Sequence, residues 1–283
     1  MTADSIKDRA TLPHVEGQLN YMAPMAERPR YLAYVPETGE TYTNMTNDPH
    51  TMPIHDMRPI QHELDLDREG FGLVEHRTAA RDLWDDDEVR RVYYPEAAEF
   101  IKQYTGASRV FVFDHVQRRR VPGSLGDRRA NGPRQPATRV HVDHTGRSGP
   151  QRVRDLLPDD ADELLKGRVQ VINLWRPIKG PLQDAPLAFC DSRTVAPEDL
   201  VASDLVYKDR VGETYSVTYN PAHTWYYAPE LRREEALLLK IMDSKTDGRA
   251  RFMPHTSFTD PTTPADAFPR ESIELRTLVF HPN

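Results

Sequence analysis

The amino-acid sequence predicts a mainly β protein with flanking helices, built as a double-stranded β-helix of the jelly-roll, cupin-like type. Three observations indicate this fold class. Short segments with strand character crowd the C-terminal half, and they do not alternate regularly with helices as a parallel sheet would require. Proline is frequent, at 24 residues against 14 glycines, and divides the chain into short elements. Because all-β barrels often reach 283 residues as one unit, we expect a single domain over residues 1–283.

The N-terminal part, residues 1–107, is expected to supply a few strands and one helix that packs outside the core. Extended segments are predicted at 31–35, 52–59 and 71–76. Between Asp85 and Thr105 apolar residues recur at spacings of three and four behind a run of acidic residues, which predicts a helix. Pro95 should kink this helix or start a second segment.

The C-terminal part, residues 108–283, is expected to form the jelly-roll core. A strand at 109–113 leads into a basic, Gly/Pro-rich stretch at 118–137, which we interpret as a mobile loop over one end of the core and a candidate lid. Its basic residues are Arg118, Arg119, Arg120, Arg128, Arg129 and Arg134. Further strands are predicted at 139–143, 168–175, 186–190, 214–219, 223–227, 237–242, 250–253 and 273–280, with short helices at 158–166 and 229–236.

The composition excludes several classes of protein. With 29% charged residues and a mean hydropathy of −0.70, the chain contains no segment near the roughly 20 consecutive apolar residues that a membrane-spanning helix needs. Its single cysteine, Cys190, rules out an internal disulfide and leaves thiolate zinc sites and iron–sulfur clusters without ligands. Any metal must therefore be held by histidine and carboxylate.

The charge and the N-terminus limit the partners and the location. A net charge of −7 argues against general nucleic-acid binding. The N-terminus has neither an apolar signal-peptide core nor an Arg-rich amphipathic pattern, which predicts a cytoplasmic protein. The expected partner is a small-molecule substrate rather than nucleic acid or membrane, and a homodimer is left open.

A His-x-Asp pair at the end of a predicted strand is the first candidate for a metal site. Because side chains at positions i and i+2 of a strand share a face, His141 and Asp143 project together. They supply two thirds of the 2-His-1-carboxylate triad, which leaves open positions on Fe(II). With 11 histidines and 44 acidic residues such a pair also arises by chance, as His14 and Glu16 illustrate. The pair needs support from elsewhere in the chain.

That support lies near the C-terminus, where His255 is followed 15 positions later by Arg270 in an Arg-x-Ser pair with Ser272. The planar fork of an arginine suits a carboxylate ligand. In a strand Arg270, Ser272, Glu274 and Arg276 share one face, so Arg276 is the natural substitute if Arg270 points away. The alternative interpretation of these charged residues is a salt-bridged sheet edge.

Two longer strings carry a resemblance to a known family. The Asn-x-Trp-Arg-Pro string at 173–177 and the Pro-Arg-Glu-Ser-Ile-Glu string at 269–274 are far more specific than the His-x-Asp pair. With them the chain resembles, over roughly residues 20 to 280, secondary-metabolism hydroxylases and desaturases described as similar to gibberellin desaturase or to the cephalosporin 7-alpha-hydroxylase component. The resemblance implies Fe(II), 2-oxoglutarate and dioxygen as co-reactants. It also implies that Arg270 and Ser272 grip the far carboxylate of 2-oxoglutarate.

The third metal ligand is a choice between two histidines. His255 is favoured because Arg270 follows it at the start of a predicted last strand, whereas the arginines soon after His223 fall in a predicted helix. The expected ligands are therefore His141, Asp143 and His255. Candidates for the substrate pocket are Asn173, Arg176, His223 and Trp225, although a strand Asn or Arg is as often an edge residue and a Trp is more often core.

The expected function is oxidation of an unactivated C–H bond of a small natural product, with hydroxylation, desaturation, epoxidation or rearrangement as the outcome. Two alternatives stay open. A cupin-like metal enzyme would use the same ligands without 2-oxoglutarate, and its metal site would not respond to that compound. A jelly-roll ligand-binding protein would keep its metal content unchanged after His141→Ala.

Overall fold

The computed structural model describes residues 8–34, 41–122 and 134–282, which form two sheets and a few helices. The strands are β1 (His14–Met22), β2 (Arg30–Leu32), β3 (Asn47–Asp56), β4 (Phe71–Glu75), β5 (Arg109–Arg119), β6 (His141–Val142), β7 (Val169–Pro177), β8 (Leu187–Cys190), β9 (Leu200–Val206), β10 (Val211–Val217), β11 (Trp225–Tyr227), β12 (Glu235–Asp243), β13 (His255–Ser257) and β14 (Glu271–Phe280). The helices are α1 (Asp86–Glu88), α2 (Tyr94–Thr105), α3 (Ser148–Leu156) and α4 (Ala161–Leu164).

The strands are ordered as expected for a jelly roll, with neighbours in space that are distant in sequence. One sheet has the order β1-β3-β11-β8-β13-β6-β10-β9-β2, and the other has the order β4-β12-β7-β14-β5. Pairing is antiparallel except between β3 and β11 and between β2 and β9. The predicted mainly β fold class is confirmed.

Strand β7 shows how the five-stranded sheet is buried on both faces. Val171 and Trp175 belong to the apolar cluster between the two sheets, whereas Ile172 belongs to the cluster beneath the helix. Burying a large apolar side chain contributes roughly 1.5–3 kcal/mol, so a strand covered on both sides is held firmly. Because side chains alternate along a strand, Asn173 lies on the inner face and Arg176 on the outer face.

The predicted helix between Asp85 and Thr105 is present. The Asp85 side chain accepts hydrogen bonds from the backbone N–H groups of Asp87 and Glu88, which caps α1. A π-helical turn (Val89–Tyr93) links α1 to α2, and Pro95 stands in the first turn of α2, where a missing N–H costs nothing. The apolar side of this helical segment packs on the outer face of the five-stranded sheet, as predicted.

Three predicted elements differ from the structure. The helix at 229–236 is wrong: residues 229–234 form turns and an isolated bridge at Leu231, and Glu235 begins β12, with its Oε1 2.8 Å from Nη1 of Arg58. The strand at 250–253 is also wrong, because this segment is irregular and β13 begins only at His255. The strand at 109–113 continues as β5 to Arg119, so the start of the predicted basic loop is sheet.

The sequence did not predict β1, β9 or α3, which are plain in the structure. Arg128 and Arg129 of the predicted loop lie outside the described residues, so the lid stays a prediction. The division at residue 107 also stays a prediction. Strands β2, β3 and β4 precede it and pair with β9, β11 and β12, which follow it. Among the described residues no helix is long and apolar enough to cross a membrane.

Candidate metal centre

His141, Asp143 and His255 meet on the inner side of the nine-stranded sheet. His141 on β6 is the direct antiparallel partner of His255 on β13, and directly paired residues project to the same face. Their ring centroids are 4.5 Å apart. Asp143 follows β6 immediately, and the potential ligand atoms of the three residues all lie within 4.8 Å of one another. We name this group the candidate metal centre.

Hydrogen bonds to the backbone orient both imidazoles. Nδ1 of His141 lies 2.7 Å from the carbonyl oxygen of Arg139, and Nδ1 of His255 lies 3.3 Å from that of Met253. A carbonyl oxygen only accepts, so each Nδ1 carries a proton, and Nε2 is the nitrogen whose lone pair is available when the imidazole is neutral. This is the arrangement that metal-binding histidines generally need.

Burial and mutual charge set the protonation of the three groups. Burial, together with the charge of His141, lowers the pKa of His255 to about 4. Burial alone would raise the pKa of Asp143, but the hydrogen bond from His141 and the charges of His255 and Arg276 lower it well below its usual range. Burial would likewise lower the pKa of His141, yet the hydrogen bond and charge of Asp143 raise it.

The donor set suits a divalent transition metal. Nε2 of His141 lies 3.4 Å from Oδ1 of Asp143, at a distance where a bound cation can replace the shared proton. Two imidazoles and one carboxylate match the facial triad of non-haem Fe(II) enzymes. The side chains of His141 and Asp143 keep 24% and 20% of their accessibility, so the ligands are not sealed off.

The second oxygen of Asp143 is held from the opposite sheet. Nδ2 of Asn173 donates to Oδ2 of Asp143 at 2.8 Å and to Oε1 of Glu274 at 2.7 Å. Asn173 therefore lies at the centre, and its amide nitrogen contacts the candidate ligand. Burial and the charge of Asp143 raise the pKa of Glu274 to about 7.

Arg270 is a buried cation, only 2% exposed. Its Nε donates to the hydroxyl of Ser272 at 3.1 Å, its Nη1 donates to the carbonyl oxygen of Ala185 at 2.9 Å, and its guanidinium lies 4.8 Å from the Trp175 ring centroid. Among the described residues no carboxylate lies within ion-pair distance of it. Burial, together with the charge of Arg118, lowers its pKa to about 9. Such a group favours an incoming anion.

Arg276 is already paired. Its Nε and Nη2 donate to the two carboxylate oxygens of Asp114 at 2.6 and 2.5 Å, so both arms of the fork are occupied. Arg276, the alternative to Arg270 for binding the far carboxylate of 2-oxoglutarate, thus already forms an ion pair within the protein.

Two residues at the centre were given no role in the site by the sequence analysis. Arg118, assigned to a loop, lies on β5 directly opposite Ser272, and its charge acts on the pKa values of both candidate histidine ligands. Glu274 shares a strand face with Ser272. Alternation along the last strand was a signal that could have identified Glu274, whereas nothing in the sequence showed that the strand before the basic stretch extends to Arg118.

Trp225 lies on the other face of the nine-stranded sheet. Trp225 pairs with Cys190, whereas His255 pairs with Phe189. Because Phe189 and Cys190 are neighbours on β8, their partners project to opposite faces. Trp225 therefore does not face the candidate metal centre.

His223 belongs with Trp225 to a separate group, which we name the tyrosine cluster (Tyr21, Asp199, His223 and Trp225). Nδ1 of His223 lies 3.1 Å from the Tyr21 hydroxyl, and Nε2 lies 3.1 Å from Oδ2 of Asp199. The indole N–H of Trp225 donates to the same hydroxyl at 2.8 Å. Both ring nitrogens of His223 are thereby engaged.

Arg176, the remaining candidate for the substrate pocket, is placed on the outer face of β7. Its guanidinium lies 5.3 Å from the ring centroid of Tyr93, and its Nη2 donates to the carbonyl oxygen of His76. It therefore packs beneath the helical segment and not beside the candidate metal centre.

Comparisons with known proteins give a consistent result. A family model described as Oxidoreductase/YMDC permease-like domain matches residues 19–280. Hydroxylase/desaturase efuI of Hormonema carpetanum is 34% identical, with 95% of each chain covered. Fe(II)/2-oxoglutarate-dependent dioxygenase nvfI of Aspergillus novofumigatus is 33% identical over 94% of this chain and 96% of its own. A solved structure of the iron and alpha-ketoglutarate-dependent endoperoxidase NvfI matches with a TM-score of 0.86 at 31% identity, covering 95% of this chain and 99% of that chain.

Proposed function

This chain belongs to the family of Fe(II)/2-oxoglutarate-dependent hydroxylases, desaturases and dioxygenases, and on that premise we propose that it oxidises an unactivated C–H bond of a small natural product. Its co-reactants are Fe(II), 2-oxoglutarate and dioxygen. The observation that carries the assignment of the site is the convergence of His141, Asp143 and His255, with their ligand atoms within 4.8 Å of one another.

In this proposal these three residues hold the iron. Nε2 of each histidine is the donor atom, because Nδ1 is committed to a backbone carbonyl. Bound there, Fe(II) supplies the redox chemistry that activates dioxygen with 2-oxoglutarate as the reductant. Asp143 provides the negative charge, and the neutral state of His255 near pH 7 keeps its lone pair available.

Arg270 and Ser272 are proposed to bind the far carboxylate of 2-oxoglutarate. The guanidinium is desolvated and its hydrogen-bond partners are neutral, so a carboxylate would compensate a charge that is otherwise costly to bury. The hydrogen bond from Nε of Arg270 to the hydroxyl of Ser272 keeps the guanidinium and the hydroxyl next to each other, where both can donate to the same carboxylate. The ring of Trp175 beneath the guanidinium limits its movement.

The chain's own part in the reaction is to orient the co-substrate and to exclude water from the inner face of the two sheets. The outcome is one of hydroxylation, desaturation, epoxidation and rearrangement. A cytoplasmic location, a homodimer and the lack of nucleic-acid binding are further parts of the proposal. Cell fractionation, size-exclusion chromatography and gel-shift measurements test them separately.

An anaerobic optical titration tests the proposed function. Fe(II) followed by 2-oxoglutarate should produce a weak visible charge-transfer band that needs both components. Arg270→Ala should lower the affinity for 2-oxoglutarate by at least about 10-fold, because a charge-assisted contact to a carboxylate is lost. Arg58→Ala is the matched control, since Arg58 already pairs with Glu235.

A metal-dependent spectrum that does not respond to 2-oxoglutarate would favour the cupin-like alternative. No metal binding, with His141→Ala indistinguishable from the parent, would favour a ligand-binding protein. If Arg270→Ala and Arg58→Ala behave alike, the carboxylate anchor is wrongly placed.

A further inference from the structure

The two oxygens of Asp143 have different surroundings. Oδ1 lies 3.4 Å from Nε2 of His141. Oδ2 accepts a hydrogen bond from Nδ2 of Asn173 at 2.8 Å. A carboxylate that swung round to offer both oxygens to one metal ion would have to break the bond to Asn173.

The amide of Asn173 is fixed by its two partners. Oδ2 of the ionised Asp143 only accepts, so the atom between Asp143 and Glu274 must be the NH₂ nitrogen and not the carbonyl oxygen. The carbonyl oxygen, Oδ1, is buried and has no hydrogen-bond partner in the described part of the chain. Leaving a buried carbonyl unsatisfied is unfavourable, which indicates that the two donated bonds determine the rotamer.

Glu274 is placed to hold this amide. It lies on β14, next to β7 in the middle of the five-stranded sheet, where both strands are paired along both edges. Its Oε1 is 2.7 Å from Nδ2 of Asn173. Among the described residues it has no ion-pair partner within 4.0 Å, so the hydrogen bond to Asn173 is its direct polar contact, while the charges of Arg118 and Arg276 act on it from further away.

We propose that Asn173 is a positioning residue that restricts Asp143 to binding the iron through one oxygen, and that Glu274 holds Asn173 in that position. The inference rests on the proposed function. Binding through one oxygen would leave more open positions on the metal for the co-substrate and dioxygen than binding through both oxygens. Asn173 thus acts through Asp143 without touching the metal.

The test measures binding and a spectrum instead of turnover. Affinities for Fe(II) and 2-oxoglutarate, and the position of the charge-transfer band, are determined anaerobically for Asn173→Ala, Asn173→Asp, Glu274→Ala and Glu274→Gln. Asn220→Ala is the matched control, because Nδ2 of Asn220 donates to Asp199, away from the centre. Circular dichroism checks that each variant is folded.

Asn173→Ala and Asn173→Asp should weaken 2-oxoglutarate binding by about 10- to 100-fold and shift the band, with a smaller effect on Fe(II) affinity. Glu274→Ala should act in the same direction to a lesser extent. Glu274→Gln should restore near-parental values, because its amide oxygen still accepts from Asn173. Asn220→Ala should leave both the band and the affinities unchanged.

Parental affinities and band position in folded Asn173→Asp and Glu274→Ala would overturn the inference. Equal losses in Asn220→Ala and the Asn173 variants would also overturn it, since they would indicate general destabilisation. A parent protein that shows no band with Fe(II) and 2-oxoglutarate would instead overturn the proposed function and, with it, this inference.

Discussion

The candidate metal centre and the tyrosine cluster both bury histidine beside a carboxylate, on opposite faces of the nine-stranded sheet. Burial lowers the pKa of His255 and of His223 alike. The difference lies in the ring nitrogens. His255 uses Nδ1 for a hydrogen bond to a backbone carbonyl and leaves Nε2 for a metal, whereas His223 uses both ring nitrogens for hydrogen bonds to side chains. Burial and a nearby acid are therefore not enough to make a ligand, because a lone pair must remain available.

Replacing the two histidines one at a time gives the largest expected contrast. His255→Ala should lower the affinity for Fe(II) by more than about 100-fold, beyond the 10- to 100-fold typical of groups that only support a ligand. His223→Ala should keep the Fe(II) affinity but lower the stability, because Tyr21 and Asp199 lose a buried partner. Anaerobic metal titration and urea denaturation measure the two effects. The reverse pattern would exchange the roles of the two clusters.

The stability of the protein should depend on pH through Glu274, which lies at the candidate metal centre and has no counterpart in the tyrosine cluster. Its pKa rises from 4.5 to about 7 on folding, so the folded protein keeps a proton that the unfolded chain loses first. The stabilisation is fully present below pH 4.5 and is lost as the pH rises towards 7, by at most about 3 kcal/mol.

Urea denaturation of the metal-free protein at pH 4.5, 6 and 7.5 measures this effect. The parent should lose stability relative to Glu274→Gln as the pH rises, since the amide does not titrate. A constant difference between the two proteins would contradict the raised pKa.

Trp225→Phe should give the smallest effect and should be confined to the tyrosine cluster. It removes the indole N–H that donates to Tyr21 but keeps most of the apolar volume. The free energy of unfolding should fall by about 1 kcal/mol, measured by urea denaturation. Fe(II) and 2-oxoglutarate affinities should stay at the parental values. A loss of 2-oxoglutarate binding would mean that the two faces of the sheet are coupled.

Local patterns predicted the parts of this protein that depend on near neighbours in sequence. The helical segment from Asp86 to Thr105 was visible because apolar spacing and an acidic N-terminus act within a few turns. The helix predicted at 229–236 failed because Glu235 and Arg232 form contacts that favour a turn leading into β12. The helix preference of these residues was weaker than the pairing of β12 with β4 and β7, which are distant in sequence.

The sequence by itself determined that His141 and Asp143 share a strand face, and that Arg270, Ser272 and Glu274 share another, because alternation along a strand is a local property. Only the tertiary structure decided that His255 is the direct partner of His141, that Asp114 engages Arg276 and that Arg118 lies opposite Ser272. These pairings depend on register between strands that are distant in sequence. A shift of one residue would turn each side chain to the other face, and the identity of the partner strand is not visible in the local pattern of either strand.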